Sequence, residues 1–320
     1  MRRSRFDDLD NPASHRRRRR FGFDDDDYGD DDYGDDLPAF PRRSSHPAPP
    51  DDDPVPDDGL VAGDRWSTWD VGQHGPAPHP GWLVTELAAV DTELGLLKTG
   101  KEADVHLLER AVPSTSRSCL LAAKRYRSAE HRMFHRDAAY TEGRRVRRSR
   151  ETRAMARRTS FGRDLLSGQW AAAEFAALGR LWQLGAPVPY PVQLHGTELL
   201  LEYLEEPDGS AAPRLAQLRP PPAVLRELWD QLVAALLLLV GEGLAHGDLS
   251  PFNLLVHRGR LVLIDLPQVV DIVANPQGPA FLARDLRIVT DWFTARGLPQ
   301  DVAAAGAASL WTTREWQCEL

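Results

Sequence analysis

The stretch "HGDLSPFNLLV", His246 to Val256, sets His246, Asp248 and Asn253 among leucines that would otherwise belong to a core. Taking such groups out of water is costly unless each finds a partner. Directly after it, "GRLVLIDLPQVV" (Gly259–Val270) reads as a hairpin strand that delivers Asp265 at its C-terminal end. A lone Asp or Asn commonly caps a turn. Three such groups arriving together offer a carboxylate that can accept a hydroxyl proton, an amide oxygen for a hard cation and a second carboxylate for the same cation. Those are the parts that phosphoryl transfer requires.

Working outward, "PPAVLRELWDQLVAALLLLVGEGL" leads into this stretch as a long helix, with Pro at its start and Gly near its end. Before it, "ELLLEYLE" (Glu198–Glu205) reads as a buried strand. "WAAAEFAALGRLWQL" (residues 170–184) places Trp170, Phe175, Leu178, Leu181 and Trp182 at helical spacing until "GAPVPYP" stops it. "ADVHLLER" (Ala103–Arg110) and "CLLAAKRYR" (Cys119–Arg127) are strands on either side of the turn-rich "AVPSTSRS". The order predicts an α+β, two-lobed fold: a small N-terminal sheet with a helix, then a helical lobe that carries the polar loop.

The N-terminal half supplies complementary groups. "KTGKEADV" (Lys98–Val105) puts Thr99, Gly100 and Ala103 in a strand-connecting turn where backbone N–H groups can approach phosphates. Lys124 in "LLAAKRY" sets an ammonium on an otherwise apolar strand, where it needs an anion. Glu174, on the apolar side of the 170–184 helix, is one candidate, and the phosphates of ATP are the other.

Taken in order, "TGKEADV", "AAKRY", "WAAAEFAAL", "HGDLSPFNLLV", "LIDLPQVV" and "FLARDLRIVTDWF" resemble the RIO family of atypical serine/threonine protein kinases over about residues 80–300. The resemblance implies a two-lobed protein-kinase-like fold with ATP and Mg²⁺ between the lobes. It implies Asp248 as the catalytic Asp and Asn253 and Asp265 as metal ligands. It also implies Lys124 as the lysine that grips the phosphates, Glu174 as its helix partner, and Gly100 and Lys101 in the turn over the nucleotide. The hinge that reads adenine through backbone groups falls near Glu202–Leu204. RIO relatives are thought to pass phosphate to the metal-binding Asp, which makes Asp265 a second catalytic candidate. His246 is expected to hold the loop by hydrogen bonds. Pro251 and Phe252 replace the acidic and aromatic pair common in this loop, and no long activation segment follows Asp265, which leaves the substrate open.

The remaining sequence sets the surroundings. Residues 1–80 carry 11 Arg and 19 Asp with no Lys or Glu, and hold "RRRRR", "DDDD" and repeated Pro, so they read as a disordered charged tail. The expected organisation is therefore a tail over 1–80, an N-lobe over 81–205 with a flexible basic segment at 125–165, and a C-lobe over 206–320. From Lys124 to Arg163, 14 basic residues face 4 acidic ones, an excess that could hold an acidic partner, a ribosomal particle or RNA, or the chain's own tail. Within it, "HRD" (His135–Asp137) imitates a kinase catalytic loop but lacks the following Asn. The longest apolar run, Leu232–Val240, is about half a membrane span, so no membrane helix is expected. Cys119 and Cys318 lack metal-ligand spacing and suit a reduced, cytoplasmic setting.

Three readings from other classes stay beside a serine/threonine protein kinase or ATPase, one of them a pseudokinase scaffold. A small-molecule phosphotransferase of the aminoglycoside or choline kinase type shares the polar loop and the following Asp. A nucleotide-gated module for ribosomes or RNA would use the basic segment instead.

Overall fold

The computed structural model describes residues 65–127, 160–267 and 269–312, the side chains of 160–166 excepted. Its first part is an antiparallel sheet built from β1 (Arg65–Trp66), β2 (Gln73–His74), β3 (Val90–Thr99), β4 (Ala103–Ala111), β5 (Ser118–Tyr126), β6 (Pro191–His195) and β7 (Glu198–Glu202). The spatial order is β1-β3-β4-β5-β7-β6-β2. Between β5 and β6 runs the helix α1 (Ser160–Gln183), which begins ten residues before the first residue of the expected helix.

Strand alternation divides this sheet into two chemically different faces. Along one row Lys98 pairs with Val105, Val105 with Lys124, and Lys124 with Leu199, so these four side chains share a face. Tyr126, Ala103 and Leu199 on that face join the core that continues through α1 into the second lobe. The opposite face presents Leu108, Cys119, Leu121, Ala123 and Leu200, which form a separate core with Trp69, Leu83, Val84 and Ala89.

Residues 65–89 therefore belong to the folded sheet as the cover of its outer face. The boundary expected at residue 80 moves back to at least residue 65, since β1 pairs with β3 and β2 with β6. Two-residue strands are too short to show a period, and the polar average over 1–80 hides Trp69. That residue also receives the ring of His74, stacked at 3.9 Å.

The second lobe comprises α2 (Pro222–Gly241), β8 (Leu244–Ala245), β9 (Leu254–His257), β10 (Arg260–Leu263), β11 (Val270–Asp271), α3 (Gly278–Ala295) and α4 (Gln300–Thr312). Helix α2 starts on Pro222, whose missing N–H costs nothing at the first turn. It buries Leu225, Leu228, Trp229, Leu232, Leu236 and Leu239. At Gly306 of α4 the backbone lies so close to Trp229 that a Cβ would come within 2.7 Å of the indole nitrogen, which is why glycine stands there. The hairpin β9–β10 follows the polar loop, and β11 returns to pair with β8. The stretch His246–Asn253 is thus framed by β8 before it and β9 after it. No helix among the described residues is long and apolar enough to cross a membrane.

Candidate active site

Lys124 stands at the centre of the site. Its ammonium donates to Glu174 Oε1 at 2.8 Å and to Asp265 Oδ1 at 2.6 Å, joining residues separated by 50 and 141 positions. The strand β5 presents Lys124 toward the second lobe, α1 presents Glu174, and the turn after β10 presents Asp265. Lys124 and Glu174 are buried, whereas the side chain of Asp265 keeps 39% of its surface accessible. Burial opposes the charge on Lys124, but the two carboxylates outweigh it and hold the ammonium well above its usual range. Burial likewise works against the Asp265 carboxylate, and Lys124 overcomes it, so Asp265 titrates below the usual range.

Glu174 is fixed from three sides. Oε1 also accepts the backbone N–H of Leu266 at 3.2 Å, and Oε2 accepts the hydroxyl of Tyr126. One carboxylate thereby ties α1, β5 and the Asp265 turn together. Asp265 itself adopts the left-handed backbone conformation, with φ at +65°.

The polar loop is held from behind. Asp285 of α3 accepts the backbone N–H of Gly247 at 2.7 Å and of Leu249 at 3.1 Å, on either side of Asp248. Burial raises the Asp285 pKa despite those two bonds. His246 Nε2 donates to the Ile264 carbonyl at 3.1 Å, which links the loop to the residue before Asp265; as expected, it holds the loop. Asp248 keeps its side chain partly exposed, and Arg284 of α3 approaches Oδ1 at 3.3 Å.

Asn253 donates its amide N–H to the Asp248 carbonyl at 2.9 Å, leaving its amide oxygen to serve as a ligand. An amide oxygen and a carboxylate are hard donors of the kind Mg²⁺ takes when nucleotide phosphates and water complete its shell. No group of three or more His, Cys, Asp or Glu suited to a metal occurs among the described residues.

The other expected residues lie around this centre. Gly100 sits in the tight turn between β3 and β4, where its N–H bonds the Ala103 carbonyl at 2.9 Å. A Cβ at Gly100 would stand 3.0 Å from that same oxygen. Lys101, next in the turn, is exposed. At the expected hinge, the Glu202 carboxylate accepts the Tyr190 N–H at 3.0 Å and so braces β6. The Leu204 carbonyl is taken by Ala212 N at 2.9 Å. Most of the basic segment lies outside the described residues.

Tyr126, Arg284 and Asp285 were not singled out from the sequence, although "AAKRY" and "FLARDLRIVTDWF" contain them. An Asp at a position otherwise suited to the buried face of α3 was the available signal for Asp285.

A small curled sheet with one helix, joined to a helical lobe that carries the polar loop and the following Asp, is an α+β protein-kinase-like fold. A family model described as the RIO domain matches residues 118–305, and the chain belongs to that family. It is 39% identical over 137 residues to the RIO-type serine/threonine-protein kinase Rio1 of Haloferax volcanii, covering 41% of this chain and 44% of that protein. To the serine/threonine-protein kinase rio1 of Schizosaccharomyces pombe it is 29% identical over 235 residues, 70% of this chain and 42% of that protein. The chain thus spans less than half the length of these curated relatives. A solved structure of the Rio2 kinase from Chaetomium thermophilum, as an ADP/Mg²⁺-phosphoaspartate complex, is similar with a TM-score of 0.47 at 21% identity. That match covers 67% of this chain and 61% of the other.

Proposed function

We propose that this chain is an ATP- and Mg²⁺-dependent RIO-type serine/threonine protein kinase that transfers the γ-phosphate of ATP to a hydroxyl. The observation that supports this most strongly is the single ion-paired cluster of Lys124, Glu174 and Asp265 beside a loop braced by Asp285 and His246. Asp248 accepts the proton of the attacking hydroxyl. Its partly exposed carboxylate can meet a substrate, while the backbone on both sides of it is held still. Lys124 positions the phosphates and Glu174 positions Lys124. Asn253 and Asp265 would hold Mg²⁺, which when bound neutralises charge developing on the phosphates.

A second reading has Asp265 take the phosphate transiently, which would make the protein an ATPase switch. Lys124 already neutralises part of the charge on that carboxylate, and the side chain remains accessible. In that step an Asp265 oxygen bonds to the γ-phosphorus as the bond to the β-phosphate oxygen breaks and ADP leaves. Water then hydrolyses the acyl phosphate.

One experiment separates the readings. The purified protein is incubated with labelled Mg-ATP, alone and with cell extract, and analysed by mass spectrometry and hydroxylamine treatment. Label on Ser or Thr that resists hydroxylamine and disappears in Asp248→Asn supports the kinase. Label released by hydroxylamine and absent in Asp265→Asn supports the switch. Absence of any ATP-dependent label would count against both.

A further inference from the structure

Lys98 lies outside the cluster just described, yet it shares the sheet face that carries Lys124. It pairs with Val105, which pairs with Lys124, so the three side chains form one row across β3, β4 and β5. Cross-strand neighbours of this kind point to the same side of the sheet. Lys124 reaches Asp265 on that side, so Lys98 faces the same cleft.

The surroundings of Lys98 are unusual for a half-buried ammonium. No hydrogen bond or ion pair links it to a described residue. The charged groups that act on it are Arg214 and Lys124, both positive, and the Asp265 carboxylate. Arg214 comes from the segment after β7 and donates to the Phe252 carbonyl, next to Asn253. An ammonium is expensive to desolvate without a partner, and placing it among other cations adds to that cost. A polyanion entering between these groups relieves both penalties.

We propose that Lys98 is a phosphate-binding residue of this site, gripping the β- or γ-phosphate of a nucleoside triphosphate. The proposal rests on the nucleotide-binding reading above and extends it to a residue of the phosphate-turn strand. A lysine suits the task because its compact charge carries three donors on a flexible stem.

The titration of Lys98 gives a second handle on the same geometry. Burial, then Arg214, push its pKa down to about 8, with Asp265 acting in the opposite sense. A bound phosphate favours the charged form and raises that pKa. Nucleotide binding near that pH therefore takes up a fraction of a proton. Affinity stays level below that pH and falls as pH rises through it.

Isothermal titration of the whole chain with ATP and with adenosine, in two buffers of different ionisation enthalpy at pH 8, tests the idea. Lys98→Met is expected to weaken ATP roughly tenfold, the scale of one charge-assisted hydrogen bond. It should abolish the proton uptake and leave adenosine affinity unchanged, which also reports an intact cleft. Lys98→Arg should recover most of the ATP affinity without proton uptake, because a guanidinium stays charged. Unchanged ATP affinity in Lys98→Met, or an equal loss for adenosine, overturns the proposal. A wild-type protein that binds neither ligand defeats the nucleotide reading itself.

Discussion

The N-terminal sheet carries a buried ion cluster on each face, and the two are built differently. On the outer face Arg110 donates to Asp91 through Nε at 2.7 Å and through a terminal nitrogen at 3.0 Å, and to Gln193 at 2.9 Å. Gln193 passes the chain on to Thr68 at 2.7 Å. Arg110 and Asp91 have no accessible side-chain surface. On the inner face Lys124 is shared between two carboxylates, one of which remains open to the cleft. The outer cluster pairs a planar fork with a carboxylate and caps it with an amide, which leaves little for a ligand to add. The inner cluster combines a point charge with an open carboxylate, and a nucleotide with its metal can complete it. Burial of charge alone does not mark a functional site; incomplete coordination does.

Three sets of experiments probe that contrast. Asp248→Asn should cut phosphoryl transfer by about 10²–10⁴, the usual scale of general-base catalysis, while ATP affinity stays close to wild type. Single-turnover transfer beside equilibrium binding checks this, and a parallel loss of binding would remove Asp248 from its assigned role.

The next pair crosses stability with activity. Arg110→Ala should destabilise the fold by about 3–5 kcal/mol, because it removes both hydrogen bonds that satisfy the buried Asp91 and leaves it only the Arg65 guanidinium at 3.8 Å. Lys124→Ala should cost less stability, since Asp265 can be hydrated and the buried Glu174 keeps the Tyr126 hydroxyl and the Leu266 N–H, yet should abolish transfer. Urea melts of both variants beside their activities decide the point. If Lys124→Ala proves the more destabilising, the two clusters are not distinct in kind.

The last pair concerns the N-terminus. Deleting residues 1–64 should leave the denaturation midpoint nearly unchanged. Deleting residues 1–80 should lower stability by about 3 kcal/mol or more, since Trp69 leaves the outer core. Equal midpoints for the two truncations would show that this cover contributes nothing.

The same contrast explains what could be read from the sequence. Lys124 and Asp265 were legible because each interrupts an apolar run. The polar loop stood out for the same reason. The helix and strand order followed from periods long enough to count, as in Trp170–Leu184 and Ala103–Arg110. The outer cluster was not legible, since Asp91, Arg110 and Gln193 lie on three strands, the last of which is not a neighbour of the other two. Nor was the cover over residues 65–80, whose strands are two residues long. Asp285 could be suspected only as an Asp on the apolar face of α3, because its partners are backbone N–H groups, which leave no trace in residue identity. Lys98, the first residue of "KTGKEADV", was not singled out, and only the strand register places it on the face that carries Lys124.

The backbone at Asp265 has a consequence for engineering. A φ of +65° is costly for most residues, least so for Gly, Asn and Asp. Asp265→Gly would relieve that torsion, but it would also remove the carboxylate that holds the buried Lys124 ammonium charged, so the relief is set against a lost ion pair. A substitution chosen for backbone torsion alone would therefore discard the group on which both proposed reactions depend.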